Sequence, residues 1–365
     1  MKCYLTRTGS FLPGLPIDND AMHRYIGTVE GEEKVKRQVL SANGIRTRYY
    51  ALNEDQTATH DVYQLAARAI ERCLSNAQLE QSIGYLSAGS TYTPLSGPGI
   101  SSILHSALAE RGMANYPLEV NSNAGICTSA AAALINAYRA IRTGDHTSAI
   151  CVGTEHASEI LKSSAICPPQ DIEMNQGDLK QSRWFMSVFL RFMLSDGAGA
   201  CLLQNRPATI GLSFRVDWAF SQSFAQETPL CMKLENRTAL LSQDVGILSK
   251  YLFTCAEKFV GEALRRHGES LDEYRVILPH ISSFFFRRKM EKLIHKFTQA
   301  ADGTVEYWTN LASVGNTGAA SIFIMLDEYV RTHSLCHDDR ILLFIPESGQ
   351  FNFVLISLTA VQADA

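Results

Sequence analysis

Three side chains in this sequence are of the types that acyl-thioester chemistry uses, and each stands among small residues. Cys127 lies in Asn121-Ser-Asn-Ala-Gly-Ile-Cys127-Thr-Ser-Ala-Ala-Ala-Ala-Leu134, which reads as a strand delivering a cysteine to the start of an alanine-rich helix. A thiol there meets the partial positive charge and the unpaired N–H groups of a helix N-terminus, and both favour the nucleophilic thiolate. His280 follows the apolar run Val276-Ile-Leu-Pro279, and Asn316 lies in Val314-Gly-Asn-Thr-Gly-Ala-Ala-Ser321. Each is expected at a strand or turn end, where α/β folds place their ligand sites. A cysteine nucleophile needs a neighbour that stabilises thiolate and donors for the developing oxyanion. Histidine serves the first task near neutral pH, and histidine with asparagine can serve the second. Singly, each has an ordinary explanation: a small core residue, a satisfied structural histidine, an asparagine holding a turn.

The elements that must position them follow from hydrophobic periodicity. Strands are expected at 3–12, 83–89, 118–121 and 149–154, a turn feeding another strand within 195–203, and helices at 60–76, 100–109 and 128–143. A second series repeats that order, with strands at 209–219, 274–279, 340–346 and 351–359 and helices at 246–266, 284–299 and 317–333. Alternating strands and helices argue for an α/β fold, and the repeated order suggests two related halves meeting near residues 205–210. The segment 165–191 has no place in either series. It holds Pro168-Pro169, Trp184, Phe185, Met186 and Phe189, and is expected to cap a pocket or build a dimer contact.

The 365 residues are 46% hydrophobic and 19% charged, enough for a large core. A net charge of −4 without a long block of one sign gives no support for nucleic acid as a partner. No apolar N-terminal run suggests a signal peptide, and no stretch of about 18 uncharged apolar residues suggests a membrane span. The nine cysteines are scattered, with no CxxC pair and no Cys/His cluster at zinc spacing, so no metal site and a reduced, cytoplasmic protein are expected.

Taken together, a cysteine in a small-residue strand-to-helix turn, Pro-His after an apolar strand, and Gly-Asn-Thr-x-Ala-Ala-Ser before a helix resemble the β-ketoacyl-acyl-carrier-protein synthase III family of thiolase-fold condensing enzymes. Asn43-Gly-Ile-Arg-Thr-Arg48, Val152-Gly-Thr-Glu155 and Ser195-Asp-Gly-Ala-Gly-Ala200 extend the resemblance from the first strand to the last. It implies a five-layer αβαβα fold built from two similar halves. Residues 1–207, with the cap, would carry the cysteine, and residues 208–365 the histidine and asparagine. Cys127 would take an acyl group from a thioester. His280 and Asn316 would bind the second thioester's carbonyl and stabilise its enolate. The oxyanion hole would use the backbone N–H groups of Cys127 and Gly349. No bound cofactor is implied. The substrates would be acyl-coenzyme A or phosphopantetheinyl acyl-carrier-protein thioesters, the product a C–C bond from Claisen condensation, and the assembly a homodimer.

The sequence departs from the family's primary-metabolism members. His280-Ile-Ser-Ser283 replaces His-Gln-Ala-Asn, Phe285 stands where an arginine is usual, and the glycine-rich C-terminal loop is reduced to Ser348-Gly349-Gln350. Other stretches, Pro13 to Asp20 and Phe189 to Gly199 among them, look similar to ketosynthases of dialkylresorcinol, cyclohexanedione and related aryl-lipid pathways. Arg287, Arg288 and Lys289 are candidates for contact with a carrier's phosphate or acidic residues, or else an ordinary basic turn. Trp184, Phe185, Phe189 and Phe192 are candidates for an acyl tunnel, or else for packing. Competing readings are ester or amide formation from the same acyl-cysteine, housekeeping fatty-acid initiation, a cysteine hydrolase, and an inactive partner subunit.

Overall fold

Strand β1 (Tyr4–Phe11) runs through the middle of a ten-stranded sheet, although it is the first element of the chain. The structure is a computed structural model and describes residues 1–75, 82–166, 188–236, 239–298 and 305–362. After β1 come the short pair β2 (Ile17–Asp18) and β3 (Thr47–Arg48), β4 (Tyr85–Ser90), β5 (Glu119–Ala124), β6 (Ser148–Glu155) and β7 (Gly197–Gln204). Then follow β8 (Leu212–Ser223), the hairpin β9 (Met232–Glu235) and β10 (Leu240–Gln243), β11 (Val276–Pro279), β12 (Glu306–Tyr307), β13 (Arg340–Pro346) and β14 (Asn352–Gln362). The described helices are α1 (Met22–Ile26), α2 (Glu33–Asn43), α3 (Val62–Leu74), α4 (Ile100–Glu110), α5 (Ser129–Thr143) and α6 (Ala157–Leu161) in the first half of the chain. In the second they are α7 (Val245–His267), α8 (Arg287–Lys296), α9 (Leu311–Val314) and α10 (Ser321–Thr332).

The sheet order is β12-β11-β13-β14-β8-β1-β7-β6-β4-β5. Read outward from the centre, β1-β7-β6-β4-β5 and β8-β14-β13-β11-β12 use corresponding strands in the same order. Their directions also correspond: β4 is parallel to β5 and β6, as β11 is to β12 and β13. The last strand of each set, β7 or β14, runs antiparallel to both its neighbours. The two sets join through β1 and β8 by only Tyr4↔Arg215 and Leu5↔Phe214.

Side-chain alternation sorts the core into layers. In β13, Ile341, Leu343 and Ile345 face a core shared with α5 and α10, whereas Leu342 and Phe344 face one shared with α7 and α8. In β6, Ala149 and Cys151 face the shared core, and Ile150 and Val152 face α3 and α4. Helices therefore cover both outer faces, and α5 and α10 fill the centre, giving the five-layer αβαβα arrangement. Every strand of the centre is buried on both faces, which is why these strands read as continuous apolar runs.

The helices start where local chemistry permits. Asp61 and Gln64 form a capping box at α3, and the Asp244 carboxylate accepts from Ile247 N–H at α7. Helix α5 has no such cap of its own at Thr128. It instead lies very close to the strands: a Cβ on Gly89 of β4 would sit 2.3 Å from the Ser129 carbonyl oxygen, and one on Gly153 of β6 2.5 Å from Ala130 Cβ.

Three sequence expectations change. The helix expected at 284–299 begins as a tight 3₁₀ turn, Phe284–Phe286, because the Ser283 hydroxyl takes Phe285 N–H before α8 starts. The helix expected at 317–333 likewise opens with the 3₁₀ turn Gly318–Ala320. Helix α2 and the β9–β10 hairpin were not anticipated. Of the expected cap, residues 167–187 lie outside the described residues, Trp184, Phe185 and Met186 included. Its C-terminal base is fixed by buried Arg191, which pairs with Glu32 at 2.5 Å and donates to the carbonyls of Ile26 and Gly27.

The closeness of α5 to β4 can be tested. Gly89→Ala forces backbone to move at the start of α5 and is expected to cost about 1–3 kcal/mol, as overpacked cores do. A urea denaturation midpoint equal to that of the wild type would disprove the backbone contact.

Candidate active site

Cys127 sits in the turn between β5 and α5, two residues ahead of the first helical residue. His280 directly follows β11, and its N–H continues the ladder by donating to Phe344 of β13 at 2.8 Å. Asn316 lies between α9 and the 3₁₀ turn before α10. Its N–H donates to the Met193 carbonyl (3.1 Å), its carbonyl accepts from Ser195 (2.9 Å), and its side-chain oxygen accepts from Gly318 N–H (3.0 Å). Gly315 before it has φ +78°, and a Cβ there would meet Ser195 and Arg48.

All three side chains line one cavity. Glu155, Thr91, Ser348 and Gln243 add polar groups to the wall. The rest is mostly apolar: Leu248, Leu252, Phe253 and Ala256 from α7, Met232 and Leu241 from the β9–β10 hairpin, and Phe286 and Met290 at α8 among others. Among the described residues, no Lys or Arg lines this cavity, and no group of three or more His, Cys, Asp or Glu is placed to hold a metal ion.

Burial governs the electrostatics. It pushes the Cys127 thiol well above its ordinary range, and the Glu347 and Glu155 carboxylates push it further. The backbone N–H groups of Ser348 and of Cys127 itself favour the thiolate but do not outweigh burial. His280, with neither ring nitrogen hydrogen-bonded, is pushed down to about 4 by desolvation. It is a neutral imidazole at physiological pH, able to donate one N–H, and not the imidazolium that would stabilise a thiolate. Glu155 is pushed up to about 7 by burial, against the hydrogen bonds that favour its charged form. One oxygen of Glu155 accepts from Thr91 N–H (3.0 Å), Thr91 Oγ1 (2.5 Å) and Ala319 N–H (3.0 Å).

The other expected site residues are placed as follows. The backbone N–H of Ser348, one residue before Gly349, favours the Cys127 thiolate, and the Gly349 carbonyl accepts from the N–H groups of Cys231 and Met232. Arg287 is exposed and pairs with Glu291 at 2.9 Å, and neither it nor Arg288 is in the cavity wall. Phe189 and Phe192 pack in the core beside the cavity, whose wall takes Leu190, Met193 and Leu194 instead. Trp184 lies outside the described residues. Sequence reasoning missed Glu155, Thr91 and the hairpin residues Met232, Leu241 and Gln243. The alternation of Met232-Lys-Leu-Glu235 was the available signal for the hairpin.

A two-fold-repeated αβαβα fold whose central helices point a cysteine and an asparagine at one cavity, with a histidine between them, is the thiolase-type architecture. Residues 264–346 match the family model described as 3-oxoacyl-[acyl-carrier-protein] synthase III, C terminal. The whole chain is similar in fold to the tetronic acid condensing enzyme AbyA1, with 17% identity, TM-score 0.77 and 98% and 99% of the two chains covered. It is also similar to the 3-oxoacyl-(acyl carrier protein) synthase III of Pseudomonas aeruginosa (19%, TM-score 0.72, 98% of each chain). OleA of Xanthomonas campestris gives 18% identity and TM-score 0.76, again over 98% of each chain. The chain therefore has the fold of these proteins, and its residues 264–346 match the C-terminal part of the synthase III family.

The titration of Glu155 can be read from stability. Its folded value lies above the ordinary 4.5, so its contribution is fully present below 4.5 and is lost as pH rises through about 7. Glu155→Gln does not titrate and is expected to gain about 2–3 kcal/mol on the wild type between pH 4.5 and 8. Urea unfolding of both proteins across that range checks this, and parallel curves would refute the buried titration.

Proposed function

We propose that this protein is a condensing acyltransferase that joins two acyl thioesters through a carbon–carbon bond. The observation that carries this is the opening of Cys127, His280 and Asn316 onto one largely apolar cavity. In the first half-reaction the Cys127 sulfur attacks a thioester carbonyl. The developing oxyanion is received by the N–H groups of Cys127 and Ser348, and the carrier thiol leaves with the proton lost by Cys127. In the second, a malonyl- or β-ketoacyl-type thioester places its carbonyl oxygen against the His280 N–H and the Asn316 amide. Its enolate, formed by loss of CO2 from a malonyl-type substrate or of a proton that the expelled Cys127 thiolate finally takes up, attacks the Cys127 thioester and expels that thiolate. A neutral, desolvated His280 suits that task, because a fixed N–H in a dry site stabilises an enolate more than it would in water.

The apolar wall from α7 and α8 suits an aliphatic chain, which favours fatty-acid-derived specialised metabolism of the dialkylresorcinol or cyclohexanedione kind over short-chain initiation. Helix α8 turns Phe286 and Met290 inward to the cavity while Arg287, Arg288 and Lys289 start its outward side. That face is assigned to an acyl carrier protein or the phosphates of coenzyme A. Strand β5 is an end strand of the sheet, and four of its six residues are exposed. A second copy pairing there would give a homodimer, with a solution mass twice that of the chain by light scattering. A cytoplasmic setting follows from the thioester substrates; among the described residues no helix is long and apolar enough to cross a membrane.

Intact-protein mass spectrometry after incubation with a panel of acyl and β-ketoacyl thioesters tests the chemistry. The acyl mass is expected on the wild type and not on Cys127→Ala. His280→Ala and Asn316→Ala should still acylate, but form product about 100-fold more slowly, the cost of losing an oxyanion-type donor. Product analysis separates a β-keto compound from an ester or amide made by the same acyl-enzyme. No adduct from any donor would overturn the covalent mechanism.

A further inference from the structure

The buried carboxylate of Glu347 stands where the resemblance leads one to expect a glycine-rich loop, and it meets the nucleophile turn from the β13–β14 connection. One oxygen, Oε2, accepts from the N–H of Ile126 (3.2 Å), the N–H of Thr128 (3.0 Å) and the hydroxyl of Thr128 (2.5 Å). These N–H groups belong to the residues on either side of Cys127, and the N–H between them, that of Cys127, is not among the groups Glu347 takes and favours the thiolate. The Thr128 hydroxyl accepts in turn from Asn352 Nδ2 (2.9 Å), and the Glu347 N–H donates to the Asn352 carbonyl (2.8 Å). The chain then passes directly to Ser348, whose N–H also favours the Cys127 thiolate. The other carboxylate oxygen leaves no room for a side chain on Gly349, where a Cβ would lie 2.9 Å from Oε1. The carboxylate also stands just ahead of α5, whose cap residue Thr128 takes no helical N–H with its own side chain.

We propose that Glu347 is the positioning residue of the nucleophile: by taking the N–H groups on both sides of Cys127 it turns the cysteine's own N–H, together with that of Ser348, toward a single point beside the sulfur. Two turns far apart in sequence are thereby held in register, and neither donor is fixed by its own element alone. The same carboxylate places a negative charge beside the thiol, so its geometric and electrostatic effects are separable by substitution. Glu347→Gln keeps an acceptor of the same reach and removes the charge. Glu347→Ala removes both, and Thr128→Val removes one of the three donors and keeps the shape of the turn.

The inference rests on Cys127 as nucleophile, so one arm of the test needs no acyl donor: the pH dependence of iodoacetamide alkylation, followed on the Cys127 peptide. In Glu347→Gln the alkylation profile is expected to move about one pH unit lower, equivalent to a rate increase of about tenfold at neutral pH. The second arm is acylation by a thioester that modifies the wild type. Glu347→Ala is expected to slow the acylation step about tenfold or more with little change in donor KM, and Thr128→Val to fall between. Thermal unfolding of each variant identifies any that fail to fold, and Thr128→Val then carries that arm. A wild-type alkylation profile in Glu347→Gln, or wild-type acylation in both Glu347→Ala and Thr128→Val, would overturn the assignment. Were the wild type inert to every donor, the proposed function would fail while the alkylation arm still decided the role of Glu347.

Discussion

The structure depends on burying two equivalent helices, α5 and α10, between two five-stranded sets of one sheet. Because the sets repeat each other, the two helices occupy corresponding places, and their N-terminal ends meet at one cavity. Cys127 precedes the first and Asn316 the second. His280 ends β11, the counterpart of β4, at whose end Thr91 also faces the cavity. The site is thus a product of the internal repeat: each half brings a strand end and a helix start, and chemistry differs only in which side chain stands there. The price of this placement is close packing, since the helices reach the strands only where Gly89, Gly153 and a run of alanines remove side-chain bulk.

Desolvation sets the state of the groups assembled there. With no lysine or arginine in the described wall, the thiol and the imidazole rest neutral, and Glu155 sits near the midpoint of its titration. Folding therefore takes a proton up at Glu155 and gives one off at His280 over overlapping ranges of mild acid. The two opposite linkages partly cancel, so a buried site with two perturbed titrating groups need not show strong acid or base lability in the whole protein. A neutral thiol beside two carboxylates is also protected from indiscriminate reaction.

The three polar side chains proposed for catalysis were legible because each has a local signature that packing enforces. Small residues must surround a nucleophile that lies against strands, an apolar run must precede a histidine at the end of a buried strand, and Gly315 must adopt positive φ beside Asn316. What was hidden depends on contacts between distant segments. The resting charge of Cys127 is decided by burial that no local pattern reports, and then by Glu347, more than two hundred residues later. Glu155 could be seen as part of a strand but not as a cavity wall. The β9–β10 hairpin is short and half-polar, so its alternation is weak, although Met232, Leu241 and Gln243 shape the cavity. The exposed arginines of α8 were recognisable as basic residues, but only the fold shows that they stand on the back of a helix whose inner side is apolar.

Each half of the sheet is closed by pairing its first long strand with its last. Tyr4 lies opposite Gln204, and Leu212 opposite Gln362. During synthesis the first sheet can be completed once residue 204 has emerged, whereas the second waits for nearly the whole chain. Such distant pairings make for slow folding. Between the two events the half bearing Cys127 would exist with the inner side of α5 uncovered, a persistent apolar surface that is concealed only when α10 arrives. The nascent chain is then most prone to self-association, which gives the ordering of its birth a bearing on how safely it can be made.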